Sequence, residues 1–278
     1  MEFKIAKHPT LNLRIKFNEE KHRYYDTNGI RYCGVTTLIH KWFEKFDSMG
    51  MAIKCSKDKS KKQYFGKKPE EIVAEWNKTA KESTEFGTKL HEFAEKLLNK
   101  EKIEIKDDDE LYSPKTSLSS FIEDLEKDYE IISPEFLIFS PSLRLATMID
   151  ILAVHKKTKQ ILIGDWKTYK KLKKKSFFNP TTGEYKVGLG ELECVQDCNY
   201  QHAALQLNIC QEILEKEEYF PPDTKFIKKM FHIKYDGRKK IWKVEPHTIR
   251  EKKKPIDIMF DKRLAEVDLI KMKEKEEF

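Results

Sequence analysis

The sequence predicts a fold that contains both helices and strands (α/β in the broad sense), with an α+β mixed β-sheet flanked by helices. Long segments with apolar residues at helical spacing precede short β-branched runs, and one further helical segment and more strands follow. The chain has 278 residues, 39% of them hydrophobic, which is enough for a sizeable core. We expect a single domain over 1–278, with strands and helices over 1–80, a core over 81–245 and a C-terminal helix over 246–278.

The N-terminal elements are predicted from alternation and turn residues. The range 11–17 alternates between apolar and polar residues, which indicates a strand, and an Asn-Gly pair within 22–32 indicates a hairpin. A helix is expected over 35–46, capped by Thr36 or Thr37. The residues that this helix would bury are Leu38, Trp42 and Phe46.

Later elements follow from helical periodicity and from further β-branched runs. Seven lysines and one acid lie between Lys54 and Lys68, a segment suited either to contact a phosphate backbone or to form a mobile surface. Helices are predicted over 69–78, 79–100, 118–129, 200–215 and 255–273. Extended segments are predicted over 131–139, 226–235 and 240–244, with loops over 107–110 and 169–197.

Charge and cysteine content narrow the class of protein. The 54 Lys and Arg exceed the 47 Asp and Glu, giving a formal net charge of +7, so basic stretches are available to hold a polyanion. The five cysteines are an odd number, widely scattered and without a CxxC pair, which argues against a disulfide framework and for free thiols. No apolar stretch is long enough to span a bilayer, and the N-terminus lacks the apolar centre of a signal peptide. We therefore expect a soluble cytoplasmic protein without membrane contact.

Two apolar runs over 145–154 and 161–168 carry the most informative charges. The link between them is too short for a crossover helix, so the runs are expected to pair as an antiparallel hairpin. Symmetric folding about the link would set Asp150 opposite Asp165, and Lys167 would share the face of Asp165. Two opposed carboxylates repel each other unless a cation lies between them. The hairpin therefore predicts a cation site with a lysine beside it.

This D-(x14)-D-x-K spacing suits phosphodiester hydrolysis. Paired carboxylates favour Mg²⁺ or Mn²⁺, which polarise a phosphate and lower the pKa of a bound water. Lys167 would orient or deprotonate that water, or stabilise the developing negative charge. The alternative is an ordinary strand-end ion pair, which the apolar surroundings of both acids disfavour.

Two helices carry further candidate residues. Gly87, His91 and Glu95 recur every four residues along one helix, where His91 is either a metal ligand or a hydrogen-bonded boundary residue. Gly87 would let another backbone approach closely. On a later helix Gln206 lies near the buried side and needs a polar partner, which would be a nucleic-acid backbone or Lys167. The alternative is that it is an ordinary glutamine at the boundary between the buried and the exposed side of the helix.

Taken in order, these motifs resemble the RecB-like branch of the PD-(D/E)XK nuclease superfamily, in particular its phage-type exonuclease-like members. The matches are G-T-x-x-H-x-x-x-E from Gly87 to Glu95, Asp150, D-W-K-T from Asp165 to Thr168, and Gln206 followed by Leu207. The stretches 22–25 and 34–39 are similar as well, so the resemblance spans about residues 20–217. It implies a restriction-endonuclease-like core with an N-terminal helical elaboration.

The resemblance also implies roles for individual residues. Metal would be bound by His91, Asp150, Asp165 and the carbonyl of Trp166, with Lys167 catalytic. Glu135 loosely matches an acid that often precedes the first catalytic aspartate. The residues assigned to nucleic-acid binding are Thr88, Glu95, Thr168, Lys170, Lys171, Tyr200 and Gln206. The five lysines within 170–175 would grip phosphates or form a flexible flap.

The expected function is a Mg²⁺- or Mn²⁺-dependent deoxyribonuclease, more an exonuclease than an endonuclease, in DNA recombination, repair or processing. Its substrate would be single-stranded DNA or duplex ends. It would act in the cytoplasm, which is the host-cell cytoplasm if the chain is phage-encoded. It would hold no iron–sulfur cluster. Alternatives are a nucleic-acid-binding protein on a silent nuclease scaffold, a structure-specific endonuclease, and a structural or inhibitory protein. Strand preference, direction of digestion and oligomeric state stay open at this point.

Overall fold

The structure, a computed structural model, describes residues 3–276. Its strands are β1 (Phe3–Lys7), β2 (Arg14–Asn18), β3 (Arg23–Asp26), β4 (Arg31–Gly34), β5 (Tyr129–Ser140), β6 (Leu145–His155), β7 (Ile161–Lys167), β8 (Phe178–Asn179), β9 (Glu184–Tyr185), β10 (Phe226–Asp236) and β11 (Ile241–Thr248). Its helices are α1 (Val35–His40), α2 (Ser48–Lys57), α3 (Pro69–Leu98), α4 (Tyr112–Asp128), α5 (Asn199–Lys216) and α6 (Lys253–Glu276). A short 3-10 turn covers Gly190–Leu192.

Nine strands form one mixed sheet, which confirms the predicted mixed sheet flanked by helices. The order is β1-β2-β3-β4-β6-β7-β10-β11, and β5 pairs with β6 beside this path. The pairs β4–β6 and β7–β10 are parallel, and the other pairs are antiparallel. The short strands β8 and β9 form a separate hairpin.

The sheet divides along β6, and this division creates the site. Strand β5 pairs with β6 along its whole length, from Leu145 to His155, and so occupies one edge. The other edge pairs with β4 at Leu145 and Ala146 and with β7 from Ile151 to Val154. Since a strand has only two edges, residues 147–150 are left without a neighbour on the second edge. Asp150 lies at the margin of this gap.

Helices cover both faces of the sheet, so the central strands β6 and β7 are buried on both sides. Residues of α1, α5 and α6 pack with Ile161 and Ile163 of β7 in one apolar cluster. Residues of α3 and α4 pack with Leu162 and Trp166 in another. Side chains alternate along a strand, so Asp165 lies on the same face as Ile163, toward α5. Within the described range 3–276, no helix has the length and apolar character needed to cross a bilayer.

Several elements match the predictions closely. The N-terminal hairpin turns at Gly29 with φ 79°, and Asp26 Oδ1 accepts hydrogen bonds from the backbone N–H groups of Asn28 and Ile30. The central hairpin, the β10–β11 hairpin and the helices α5 and α6 lie where the patterns predict them. The extended segment before the central hairpin is β5.

The predicted break between helices at Lys78 and Thr79 is wrong. One helix, α3, runs without interruption over 30 residues. Its middle is exposed, so apolar periodicity disappears there although the helix continues. Side chains four residues apart, Lys78 with Glu82 and Lys81 with Glu85, approach to 4.0 and 3.9 Å and favour the exposed helical turns.

Other predictions need correction near the N-terminus. The helix expected over 35–46 ends at His40, and Gly34 rather than a threonine holds its N-cap position, without a side-chain cap. Phe46 is 64% exposed, not buried. The lysine-rich segment is partly the helix α2, which is capped by the side chain of Asp47.

Two further boundaries differ. Strand β1 has no counterpart among the predictions, because a five-residue edge strand has too short a pattern to recognise. Helix α4 starts at Tyr112, well before the predicted range 118–129, and Tyr129 already belongs to β5.

Replacing Gly164 by alanine is expected to destabilise the fold by about 1–3 kcal/mol through overpacking. A Cβ atom at this position would lie 2.7 Å from Phe231 Cε2 and 3.1 Å from Ile151 Cβ, inside the central sheet. Urea unfolding measures the loss. The matched control is Gly237→Ala, because a Cβ there meets nothing within 4 Å. Equal stability of the two variants would contradict the prediction.

Candidate metal centre

Asp150 and Asp165 face each other at the point where β6 and β7 separate. The last paired residues are Ile151 and Gly164, and one further step along this register sets Asp150 opposite Asp165. The next backbone N–H, that of Trp166, donates to Asp150 Oδ2 over 2.7 Å. A carboxylate thus replaces a backbone acceptor where the ladder ends. Both acids are nearly buried, with 9% of Asp150 and 3% of Asp165 exposed.

Lys167 and Gln206 complete a polar triangle with Asp165. Lys167 Nζ lies 2.9 Å from Asp165 Oδ1 and 2.7 Å from Oδ2. Gln206, on α5, donates from Nε2 to Asp165 Oδ1 over 3.0 Å and accepts from Lys167 Nζ over 3.2 Å. Of the two partners predicted for Gln206, the one that it contacts in the structure is Lys167. The amide holds the lysine and the acid in one fixed arrangement.

His91 reaches the same point from α3. Its Nε2 lies 3.1 Å from the carbonyl oxygen of Trp166, and its Nδ1 lies 3.5 Å from Asp150 Oδ2. A neutral imidazole carries only one N–H. Only one of the two ring nitrogens can therefore donate to its oxygen, and the lone pair of the other nitrogen faces an oxygen and is repelled by it. A protonated ring or a nearby cation removes the conflict. Helix α3 approaches this closely because Gly87 has no side chain: a Cβ there would lie 3.0 Å from Thr168 Oγ1.

Glu135 adds a third carboxylate from β5. The register places Pro134 opposite Ile151 and Phe136 opposite Ile149, so Glu135 faces Asp150 across the strand pair. Ligand atoms of His91, Glu135 and Asp150 lie within 4.8 Å of one another. Glu135 has φ 46°, a left-handed conformation that non-glycine residues adopt only when the surroundings hold them there.

Lys4, on β1, contacts this cluster from outside. Its Nζ lies 2.6 Å from Glu95 Oε1 and 4.0 Å from Glu135 Oε2. The predicted nucleic-acid ligand Glu95 is therefore occupied by an ion pair. Lys4 is absent from the predicted site residues, because the short strand that carries it has too weak a pattern to recognise.

Two of the carboxyl groups, those of Glu135 and Asp165, have a raised pKa. Burial, followed by the charge of Asp150, raises the pKa of Glu135 to about 8, although Lys4 opposes the change. Burial also raises the pKa of Asp165 to about 6, against the effect of Lys167. For Lys167 burial acts to lower the pKa, but the Asp165 carboxylate outweighs burial and raises it. Lys167 is therefore an ammonium group at neutral pH.

The donor set fits a hard divalent cation. Asp165 Oδ2 is buried and accepts no hydrogen bond within the described range, although Lys167 Nζ lies near it. This oxygen, the carboxylates of Asp150 and Glu135, the Trp166 carbonyl and one imidazole provide mainly oxygen ligands, which Mg²⁺ and Mn²⁺ prefer. A cation would also relieve the repulsion among the acids.

A cleft of about 440 Å³ joins this centre to basic residues of the N-terminal elements. His91, Glu135, Asp150 and Gln206 line the cleft together with Arg23, Arg31, Lys41 and Arg263. Arg263 is buried, and its guanidinium donates to the Leu143 and Arg144 carbonyls, so its role is structural. Arg23 and Arg31 are exposed, and no carboxylate of residues 3–276 lies within ion-pair distance of either. We call Arg23, Arg31 and Lys41 the basic wall.

The residues of the basic wall are absent from the site residues predicted from the sequence. The stretch 22–25 contributes to the family resemblance, but charged residues on an exposed hairpin look like any solvated strand. Only their position across the cleft from the acids distinguishes them. Lys41 also pairs with Glu266 over 3.1 Å, so it is less free than the two arginines.

Other predicted nucleic-acid ligands lie away from the acids or on the segment after β7. Thr88 is exposed on α3, and Lys170 and Lys171 are exposed beyond β7. This segment is held to the start of α5, because Asn199 Oδ1 accepts from the Lys173 N–H and Asn199 Nδ2 donates to the Lys171 carbonyl. The ring of Tyr200 lies 5.7 Å from Lys174 Nζ. The first part of the segment, at Lys171 and Lys173, is therefore a loop held against the start of α5.

Comparisons of this chain with protein-family models and with curated proteins find no match. The resemblance to RecB-like nucleases thus remains a prediction from motifs, and function is inferred from the geometry of the site.

Replacing Glu135 by glutamine is expected to stabilise the metal-free protein at alkaline pH. The folded-state pKa of about 8 lies above the ordinary 4.5, so the folded protein keeps a proton that the unfolded chain releases. The stability of the wild-type protein therefore falls as pH rises from about 4.5 to about 8. Glutamine does not ionise, so the stability of the variant does not fall for this reason. At pH 9 in EDTA the variant should be more stable than the wild type by at least about 1 kcal/mol.

Urea unfolding at pH 5 and pH 9 measures this difference. Glu130→Gln is the matched control, because Glu130 is exposed on the same strand. If the stability of both variants depends on pH as that of the wild type does, the proton that the folded protein keeps is not on Glu135.

Proposed function

We propose that this protein is a Mg²⁺- or Mn²⁺-dependent DNA nuclease that hydrolyses phosphodiester bonds. One observation carries the proposal: Asp150, Asp165, Lys167 and His91 converge from three elements, and Asp150 and His91 line a cleft whose other lining includes the basic wall. The acids suit a divalent cation, and the arginines suit the phosphates of a polyanion. The motif resemblance supports the same conclusion.

The residues divide into cation ligands and groups that act on the phosphate. Asp150, Asp165 and His91, with the Trp166 carbonyl, would hold the cation, and Glu135 is close enough to join them. When bound, such a cation polarises the scissile phosphate and lowers the pKa of a coordinated water.

Lys167 is positioned to stabilise negative charge on the phosphate. Its ammonium has three N–H groups, of which Asp165 and Gln206 accept two. Asp165 Oδ2 lies 2.7 Å from the same ammonium, so a cation bound to this oxygen would leave the third N–H to donate to a phosphate oxygen. The hydrogen bond to Gln206 fixes the direction of the ammonium, so that little reorganisation is needed when charge develops.

The proposed substrate is DNA, bound through its backbone by the basic wall and, beyond β7, by Lys170 and Lys171. Arg23 and Arg31 carry charge that the described chain leaves unpaired, which favours phosphate contact without base specificity. Action at DNA ends, as an exonuclease in recombination, repair or processing within the cytoplasm, is proposed from the family resemblance alone.

The test is one incubation series with end-labelled single-stranded, duplex and circular DNA in Mg²⁺, Mn²⁺ or EDTA. We expect linear DNA to be degraded only with a cation, and circles to survive if the enzyme needs an end. Nicked or linearised circles would instead show an endonuclease. DNA binding without cleavage under any of these conditions would overturn the catalytic proposal and indicate a silent nuclease scaffold.

A further inference from the structure

A second group of potential ligands lies on the neighbouring hairpin, apart from the acids. His232 on β10 pairs in register with Glu245 on β11, and His247 follows two residues after Glu245. Side chains two residues apart share a face of a strand, so all three lie on one side of the hairpin. One ligand atom from each lies within 4.8 Å of the others.

The hydrogen bond at His232 prepares this ring to bind a metal. Its Nε2 lies 2.7 Å from the backbone carbonyl oxygen of Tyr169. A carbonyl only accepts, so Nε2 carries the proton, and Nδ1 of the neutral ring keeps its lone pair. His232 is only 2% exposed, and Nδ1 finds no hydrogen-bond partner within the described chain. An imidazole whose second nitrogen donates to a backbone carbonyl is the usual arrangement behind a metal-ligating histidine.

His247 presents a second nitrogen that lacks a partner. Its Nε2 is buried, makes no hydrogen bond within residues 3–276 and lies 3.4 Å from Glu245 Oε2. Burial lowers the pKa of both His232 and His247, so both rings are neutral at neutral pH. A buried nitrogen without a hydrogen-bond partner destabilises a folded protein, and this site contains two of them.

The chemistry of the donors selects the kind of cation. Two neutral imidazoles and one carboxylate suit Zn²⁺, which accepts nitrogen and oxygen ligands, better than Mg²⁺ or Mn²⁺, which prefer oxygen. Glu245 Oε2 also accepts from Lys234 Nζ over 2.6 Å, so a metal would replace the lysine at this oxygen or bind the second oxygen of the carboxylate. Three protein ligands leave a fourth position of a tetrahedral ion for water.

We propose that His232, Glu245 and His247 form a zinc-binding site separate from the acidic centre. His232 pairs in register with Lys167 across β7 and β10, and the ring bonds the carbonyl of Tyr169, two residues further along. A zinc ion on His232 would therefore lie next to the contact between the β10–β11 hairpin and Tyr169, the second residue after Lys167. The proposal does not depend on nuclease activity.

Zinc titration of the Asp150→Ala/Asp165→Ala variant tests the proposal, because the acidic centre can no longer bind metal. After removal of metal with EDTA and desalting, calorimetry should show one equivalent of Zn²⁺. Co²⁺ in place of Zn²⁺ should show the visible absorption of a tetrahedral site. Adding His247→Gln or His232→Asn should weaken binding at least about tenfold, since even losing the group behind a ligand costs ~10–100-fold.

The control is His155→Asn in the same background. His155 Nδ1 accepts backbone N–H groups of Lys157 and Thr158, which an asparagine oxygen can also accept, so the turn should persist. Circular dichroism verifies that each variant folds, and Glu245→Gln replaces His232→Asn if that variant does not. Absence of zinc binding, or binding that survives His247→Gln unchanged, would overturn the proposal.

Discussion

Replacing Lys167 by alanine is expected to lower metal-dependent DNA cleavage by at least about 10²–10³-fold, the usual effect of losing one preorganised donor to developing charge. The ammonium is held by Asp165 and Gln206, and a cation on Asp165 Oδ2 would leave one N–H for a phosphate. Its loss should leave the cation ligands in place. The variant should therefore bind Mn²⁺ nearly as the wild type does while failing to cleave.

Asp165→Asn is expected to abolish cleavage for a different reason. The amide keeps the size of the side chain but removes the charge that faces Asp150, so Mn²⁺ affinity falls together with the rate. Calorimetric titration with Mn²⁺ and a cleavage time course on the same samples separate the two variants. The two roles are confirmed only if Lys167→Ala loses rate alone and Asp165→Asn loses both.

Matched controls replace the same residue types at exposed positions. Lys239 lies in the β10–β11 turn and Asp223 lies in the loop before β10, both exposed. Lys239→Ala and Asp223→Asn should cleave at the wild-type rate. A Lys167→Ala or Asp165→Asn protein that still cleaves at that rate would refute the assignment of the active site.

Removing both arginines of the basic wall, Arg23→Ala with Arg31→Ala, is expected to weaken DNA binding ~10–100-fold at low salt. Each phosphate contact releases counterions, and the slope of log affinity against log salt should become shallower by about 2. Fluorescence anisotropy with labelled DNA in EDTA measures affinity without cleavage. The loss should be similar for unrelated sequences, because phosphate contacts do not read bases.

The control for the wall is Lys239→Ala with Lys240→Ala, which removes two exposed charges from the β10–β11 turn. Its salt slope should equal that of the wild type. Lys41→Ala should have a smaller effect than either arginine, because Lys41 already pairs with Glu266. A double arginine variant with an unchanged salt slope would remove the wall from the DNA interface.

Local sequence patterns were most informative where neighbours along the chain are also neighbours in space. The central hairpin is the clearest case, since its short link and its apolar runs determine the register that sets Asp150 against Asp165. Prediction failed where local patterns are weak. The exposed middle of α3 has no apolar period although it is helical, and the exposure of Phe46 depends on where α1 ends.

The sequence by itself determined the pair of acids, the adjacent lysine and the periodic line that carries His91. Only the tertiary structure decided that His91, Glu135 and Lys4 meet at that pair, and that Arg23 and Arg31 line the same cleft. The physical reason is the division of the sheet along β6, where β4 and β7 share one edge and leave a gap beside Asp150. That arrangement rests on pairing between residues far apart in the chain, which spacing and periodicity do not encode.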